Sequence, residues 1–222
     1  MNTLTIGDRK CLLFEDPDAS DLLIQPTGDH ETASLEEEVR LIGRLRSGRP
    51  FSFAAFPAED WNRQLSPWAA PAVFGSEGFG DGAAETLKYI TDTLLPCLRE
   101  RSSCDTLRIF LGGYSLAGLF SLWAAYQTDS FHGIAAVSPS VWFPGWIGYA
   151  GQNTIKSERV YLSLGDREMK TKNQIMSTVG DCIQRQYDLL ASSGTCACTL
   201  EWNPGNHFRE PALRTAKGFA WL

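Results

Sequence analysis

The chain has 222 residues, of which 43% are hydrophobic and 21% are charged, and its net charge at pH 7 is −6. This length and composition predict a single globular domain, residues 1–222, with a sizeable apolar core, and they exclude a disordered or low-complexity chain. The excess of acidic residues argues against a nucleic-acid binder and against electrostatic attachment to an anionic membrane.

Targeting signals and cysteines indicate the compartment. No window approaches the about 20 apolar residues that a membrane-spanning helix needs, and residues 1–6 lack the basic start and apolar stretch of a secretory signal. We therefore expect a cytoplasmic protein whose six cysteines are reduced thiols. Cys196 and Cys198 lack the second matching pair that is typical of a metal site.

Residues 1–50 are predicted to be a variable N-terminal part of short strands and one helix. The apolar runs at 12–14 and 22–24, broken by Asp-Pro and Pro-Thr-Gly, are typical of edge strands with turns. Ser34 and Glu37 have the spacing of a capping box, which predicts a helix that begins there and ends at Gly48.

Residues 51–222 are predicted to form a catalytic core in which buried strands alternate with helices. The strands are expected at 51–56, 107–111, 134–138, 160–164 and 198–202, and the helices at 83–101 with a kink at Pro96, at 116–127, at 173–191 and from about 210. Aromatic loops are expected at 57–82 and 139–153. This alternation predicts an α/β fold with a mostly parallel sheet, helices on both faces, and a site at the carboxyl ends of the strands.

The segment Gly113-Tyr114-Ser115-Leu116-Ala117 has the form of a nucleophile elbow, with Ala in place of the usual last Gly. A serine on such a strained turn points its hydroxyl into the cleft, and the backbone two residues on either side passes so close to its neighbours that only Gly or Ala fits. The turn also places the Leu116 N–H at a helix N-terminus, where it can donate to an oxyanion. Ser115 is therefore the predicted nucleophile.

The base and the acid are sought on loops at the same edge of the sheet. Of the three histidines, His30 precedes the first helix, His132 opens a strand at the wrong end of the sheet, and His207 follows the last strand. His207 is therefore the predicted base. After the strand at 160–164 both Asp166 and Glu168 could orient that histidine, and the residues themselves leave the two open.

Three segments carry a resemblance to a known family. The residues Gly113 to Phe120, Gly165 to Glu168 and Gly205 to Phe208 resemble the nucleophile stretch, the acid loop and the histidine turn of the "putative esterase" group of α/β-hydrolases, which includes enterochelin esterases, feruloyl esterases, esterase D and mycolyltransferases. The resemblance extends from about Phe51 to the C-terminus and implies the three-layer αβα hydrolase fold. It favours Glu168 as the acid, and it implies a second oxyanion amide on Phe56, because Pro57 has no N–H.

Seven tryptophans are many for a chain of this length. Trp61 lies on the loop after the strand at 51–56, and Trp142 lies on the loop that in such folds covers the cleft, so both are candidates for lining an aromatic or acyl pocket. For Trp142 and Trp146, packing is an equally good interpretation. Trp123 and Trp202 are expected to serve packing alone.

We expect a serine esterase in which Ser115 attacks the carbonyl of a small-molecule ester, such as a siderophore-type or aromatic ester. His207 and Glu168 complete the triad, water hydrolyses the acyl-enzyme, and no metal or organic cofactor is required. The alternatives are an acyltransferase of the same fold, a non-catalytic binding protein that kept the fold, and a thiol- or metal-dependent regulator that uses Cys196 and Cys198.

Overall fold

The computed structural model describes residues 1–28 and 34–222. Within these residues the strands are β1 (Asn2–Ile6), β2 (Arg9–Phe14), β3 (Asp21–Thr27), β4 (Ser52–Pro57), β5 (Arg108–Tyr114), β6 (Gly133–Val137), β7 (Arg159–Gly165) and β8 (Ala197–Asn203). They form one sheet in the order β1-β2-β4-β3-β5-β6-β7-β8. The strands from β4 to β8 are parallel, and β1 and β2 are antiparallel to their neighbours.

Within the described residues, helices connect the strands from β3 onwards, and a last helix follows β8. They are α1 (Leu35–Leu45), α2 (Trp61–Gln64), α3 (Ala83–Tyr89), α4 (Leu95–Arg101), α5 (Leu116–Gln127), α6 (Trp146–Gln152), α7 (Val179–Ser193) and α8 (Pro211–Trp221), with a π-helical turn at Ile90–Leu94 and a 3₁₀ turn at Met176–Thr178. None of them is long and apolar enough to cross a bilayer.

The helices cover both faces of the sheet. On one face α1 and α8 pack against each other and bury a cluster that includes Ile42, Phe53 and Phe219. On the other face α3, α5 and α7 bury the larger cluster, to which α5 contributes an almost continuous run of buried residues. The three-layer α/β architecture that the sequence predicted is therefore confirmed.

The interpretation of residues 22–24 as an edge strand is wrong. β3 lies inside the sheet between β4 and β5, and all seven of its residues are buried. The run Leu22-Leu23-Ile24 is apolar on both faces, which is typical of a strand covered on both sides. Only β1 and β8 are edges of the described sheet. β2 and β3 pair directly with strands of residues 51–222, whereas β1 pairs with β2.

The predicted capping box is also wrong, although α1 does begin after Ser34. Ser34 has φ −96° and ψ −8°, outside the extended conformation of a capping serine, and its side chain makes no capping hydrogen bond. The Glu37 carboxylate instead pairs with Arg40 at 3.5 Å. His30, considered above as a base, lies outside the described residues.

The predicted kink at Pro96 is a π-helical turn. Ile90–Leu94 widens the helix between α3 and α4, immediately before the proline. Proline has no N–H to donate, and its ring collides with the carbonyl four residues earlier. The helix accommodates this loss by a wider turn, which keeps α3 and α4 continuous.

The segment 139–153 is not a loop throughout, because α6 occupies its second half. Trp146 at the start of α6 is fully buried and donates its Nε1–H to Gln186 Oε1 at 2.9 Å. This assigns Trp146 to packing. Trp202, for which packing was expected, is 43% exposed because it lies on the edge strand β8.

Candidate active site

Ser115 is itself the turn between β5 and α5. The strand runs through Tyr114, further than the sequence predicted, and the helix begins at Leu116. Ser115 has φ 59° and ψ −120°, a left-handed conformation that non-glycine residues seldom adopt. Strained serines of this kind sit on nucleophile elbows, where the turn points the hydroxyl away from the sheet.

The small residues on either side of Ser115 make this turn possible. A Cβ atom on Gly113 would lie 2.5 Å from the Cβ of Ala117, and one on Gly118 would lie 2.9 Å from the Gly113 carbonyl oxygen. Both distances are shorter than any van der Waals contact. β5 and α5 can therefore approach this closely only because residues 113 and 118 are glycines.

The three side chains predicted from separate segments come together at the carboxyl edge of the sheet. His207 Nε2 lies 3.1 Å from Ser115 Oγ, and His207 Nδ1 lies 2.6 Å from Glu168 Oε2. An ionised carboxylate can only accept, so Nδ1 carries the proton and Nε2 presents a lone pair to the serine hydroxyl. The hydrogen-bonded side chains of Ser115, His207 and Glu168 can thus transfer the Ser115 proton to His207.

Glu168 is held in a dense set of donors. Its side chain is 4% exposed, and Oε1 accepts hydrogen bonds from the Ser138 hydroxyl and the Gly165 N–H, both at 2.7 Å. Burial pushes the pKa of Glu168 upwards, but the hydrogen bonds from His207, Ser138 and Gly165 outweigh burial and leave the pKa below its ordinary value. The carboxylate is therefore ionised and fixed towards His207.

Asp166, the other candidate acid, has a different partner. Its Oδ1 accepts the Gly205 N–H at 2.7 Å, and its own N–H donates to the Asn203 carbonyl at 2.8 Å. Asp166 thus ties the acid loop to the turn that carries His207, as aspartates at turns often do.

Two residues that contact the segments of His207 and Glu168 were missed by the sequence analysis. Tyr114 donates its hydroxyl to the His207 carbonyl at 2.6 Å, and Arg214 donates from Nη1 to Tyr114 Oη at 3.1 Å and to Glu168 Oε1 at 3.1 Å. One signal for Arg214 was present in the sequence, since Gly218 of α8 and the C-cap residue Leu222 follow it by four and eight residues on one buried face. An arginine on a buried face needs a specific partner.

Ser140 is a third residue that the sequence analysis did not single out. Its hydroxyl lies 3.4 Å from Ser115 Oγ, and its N–H donates to the Ser115 carbonyl at 3.1 Å. The loop after β6 therefore contacts both the backbone and the hydroxyl of Ser115.

The predicted oxyanion donors lie at two strand ends. Leu116 is the first residue of α5, where helix geometry leaves the N–H without an intrahelical acceptor. Phe56 is fully buried in β4, opposite Pro26 of β3. Ala58 donates to the Thr27 carbonyl, so the alternation along the strand points the Phe56 N–H towards β3 as well. To donate to an oxyanion, the Phe56 N–H would have to turn away from β3. The role of Phe56 as a second oxyanion donor therefore stays a prediction.

Aromatic side chains lie around the histidine and serine loops. Phe208 is 84% exposed, and its ring centroid lies 5.5 Å from that of His207. Phe74 is 51% exposed and packs edge-on against Trp142 at 6.4 Å, while Trp142 also contacts Phe79 at 6.1 Å. Trp142 lies two residues after Ser140, whose hydroxyl contacts Ser115.

Trp61, the other tryptophan predicted to bind substrate, has a different setting. It opens α2 and is partly buried against the larger core cluster. Its role in binding stays a prediction.

The comparison that decides the family covers most of the chain. The family described as "Putative esterase" matches residues 49–190, which include Ser115 and Glu168. The chain belongs to this family. It is thus a carboxylic ester hydrolase, as the resemblance implied. The esterase has no match among curated proteins.

Solved structures resemble the esterase over nearly its whole length. An IroE-like serine hydrolase from Shewanella oneidensis is 15% identical with a TM-score of 0.79, over 96% of this chain and 75% of that chain. The siderophore hydrolase EstA from Aspergillus nidulans is 22% identical with a TM-score of 0.70, over 90% and 81%. The enterobactin esterase FES from Shigella flexneri is 17% identical with a TM-score of 0.64, over 96% and 54%. At these identities the likeness establishes the α/β-hydrolase fold.

Proposed function

We propose that the esterase hydrolyses a carboxylic ester through an acyl-enzyme on Ser115, with His207 as base and Glu168 as acid. The observation that carries this proposal is the position of the His207 ring, whose two nitrogens lie 3.1 Å from Ser115 Oγ and 2.6 Å from Glu168 Oε2. This is the arrangement that activates a serine hydroxyl for attack on a carbonyl carbon.

The proposed reaction has two halves. Ser115 Oγ attacks the ester carbonyl while His207 Nε2 takes its proton, and the imidazolium then gives that proton to the departing alkoxide as the C–O bond breaks. A water molecule next loses a proton to His207 and attacks the acyl-enzyme, and the proton returns to Ser115 Oγ. Glu168 holds the Nδ1–H and stabilises the imidazolium in both halves.

The charge that develops on the carbonyl oxygen needs donors at the elbow. The Leu116 N–H is the proposed donor, since it lies at the start of α5 directly after the nucleophile. The partial positive charge of the helix N-terminus adds to the hydrogen bond.

The proposed substrate is an ester with an aromatic or siderophore-type acyl group. Phe208 is mostly exposed next to His207, and Trp142, which packs against Phe74, lies on the loop whose Ser140 contacts Ser115. Exposed rings beside a reactive centre favour a flat apolar ligand, which stacks or packs edge-on against them. Two of the similar structures carry the names of a siderophore hydrolase and an enterobactin esterase.

A cytoplasmic location is the proposed compartment. All six cysteines, which lie within the described residues, are free thiols. Free thiols persist in reducing compartments, which supports this placement.

A panel of esters with one leaving group tests the substrate proposal. The p-nitrophenyl esters of acetic, butyric and benzoic acid are compared by kcat/KM, with Ser115→Ala as the control for non-enzymatic hydrolysis. We expect the benzoate ester to give the highest kcat/KM of the three after correction for its slower spontaneous hydrolysis. A preference for acetate would contradict the aromatic acyl group and leave ester hydrolysis intact.

A further inference from the structure

Arg214 of α8 is a buried cation behind the triad. Its side chain is 2% exposed, yet it donates four hydrogen bonds. Nη1 reaches Glu168 Oε1 at 3.1 Å, Tyr114 Oη at 3.1 Å and Ser138 Oγ at 3.5 Å, and Nη2 reaches the Pro204 carbonyl at 2.9 Å. Burying an arginine is costly unless its donors are satisfied, so this set of partners has to be in place in the folded protein.

These partners belong to the segments that carry the three reacting side chains. Glu168 is the acid, Tyr114 directly precedes the nucleophile, and Pro204 begins the turn that ends in His207. Tyr114 extends the connection, because its hydroxyl donates to the His207 carbonyl at 2.6 Å. One guanidinium therefore links the nucleophile strand, the acid loop and the histidine turn.

The contact with Glu168 also decides which carboxylate oxygen faces the histidine. Oε1 accepts from Ser138, Gly165 and Arg214, which leaves Oε2 for His207 Nδ1. Gly165 leaves room for this contact, because a Cβ atom there would lie 2.9 Å from both Arg214 Nη1 and Glu168 Oε1. The planar fork of arginine suits this task because it serves several acceptors in fixed directions.

We propose that Arg214 is a positioning residue that keeps Glu168 and the histidine turn aligned, so that His207 stays within reach of Ser115. The inference rests on the proposed triad. Arg214 itself does not touch the reacting atoms, and it acts through Glu168 and through the backbone of the turn.

A double-mutant cycle separates positioning from general support of the fold. Arg214→Met is made in the wild-type protein and in Glu168→Gln, and kcat and KM are measured with p-nitrophenyl acetate. If Arg214 acts through Glu168, its removal lowers kcat by about 10²-fold in the wild type, with little change in KM, and by less than about threefold once Glu168 is replaced. Loss of fold alone lowers the rate by the same factor in both backgrounds.

Arg46 provides the matched control. It follows α1, is equally buried and donates to the Phe219 carbonyl. It pairs with Asp21, the first residue of β3, at the end of the strands opposite to the candidate active site. Arg46→Lys and Arg214→Lys are compared by thermal unfolding and by kcat. Both are expected to lower the melting temperature, but only Arg214→Lys should lower kcat, by about tenfold.

Failure of the proposed role of Arg214 and failure of the proposed triad give different experimental results. A wild-type protein that is not labelled at Ser115 by a fluorophosphonate contradicts the triad itself. With labelling intact, equal losses in both backgrounds of the cycle, or an unchanged kcat in Arg214→Lys, overturn the role of Arg214. If Arg214→Met does not fold, the cycle is run with Arg214→Lys and judged by the same comparison.

Discussion

Asp166 and Glu168 lie two residues apart on one loop and hold different partners. The Asp166 carboxylate accepts the backbone N–H of Gly205 at 2.7 Å, whereas the Glu168 carboxylate lies 2.6 Å from His207 Nδ1. One acid therefore ties down the turn that carries the histidine, and the other contacts the imidazole. This division of roles makes the two residues a matched pair for experiment.

Glu168→Gln should lower kcat far more than Asp166→Asn. A neutral amide at 168 cannot stabilise the imidazolium and can favour the wrong tautomer of His207, which in serine hydrolases costs up to about 10⁴-fold in kcat. Asparagine at 166 keeps an oxygen that can accept the Gly205 N–H, so we expect a loss below about tenfold. Steady-state kinetics on p-nitrophenyl acetate measure both, and the reverse ranking would make Asp166 the acid.

The stability of the protein should depend on the ionisation of Glu168. Its pKa in the folded protein is lower than the usual 4.5, because the hydrogen bonds outweigh burial. The ionised carboxylate therefore stabilises the fold above pH 4.5, and this contribution is lost as the pH falls through the lower folded-state pKa. The melting temperature of Glu168→Gln should lie below that of the wild type at about pH 7, and the gap should narrow below pH 4.5. A gap that widens on acidification would contradict the direction of the shift.

Trp142→Ala should raise KM for aromatic esters more than for acetate esters. The centroid of its ring lies 6.4 Å from that of Phe74 and 6.1 Å from that of Phe79. Trp142 is only partly buried, so its removal opens the proposed acyl site. Trp142→Phe is the control, because it keeps a ring that can pack edge-on against both neighbours. Unchanged kinetics together with a lower melting temperature would assign Trp142 to packing alone.

Gly113→Ala should damage the elbow, whereas Gly148→Ala should not. A Cβ atom at 113 would lie 2.5 Å from the Cβ of Ala117, so we expect a cost of about 1–3 kcal/mol in unfolding free energy and a lower kcat. Gly148 lies in α6 with no heavy atom within 4 Å of its Cβ position, and alanine there should be neutral or stabilise by up to about 1 kcal/mol. Denaturant unfolding and steady-state kinetics on both variants provide the comparison. Equal effects would show that the close approach between residues 113 and 117 limits neither stability nor kcat.

The sequence predicted the features that depend on local chemistry. The alternation of apolar strands and helices was enough for the α/β class, and the small residues around Ser115 were enough for the elbow, because both constraints act within a few residues. The position of His207 after the last strand followed from the rule that parallel strands end at one edge. In each case the physical requirement can be read from neighbouring residues.

The features that the sequence did not predict depend on contacts between distant segments. The central place of β3 is set by pairing with β4 and β5, and Arg214 binds residues from four other segments, none of which is near it in sequence except Pro204. The residues left Asp166 and Glu168 open, since both can reach a histidine turn whose position the sequence does not give. The failed capping box at Ser34 shows the same limit, because the backbone conformation there decides whether the side chain can cap the helix.

The most direct test of the central claim is active-site labelling of the intact protein with a fluorophosphonate, followed by identification of the modified peptide by mass spectrometry. We expect stoichiometric labelling on Ser115, no labelling of Ser115→Ala, and labelling of His207→Ala slowed by about 10³-fold or more. The same experiment measures p-nitrophenyl acetate hydrolysis, which should fall in proportion to the labelled fraction. Labelling on another residue, or full esterase activity in Ser115→Ala, would contradict Ser115 as the nucleophile.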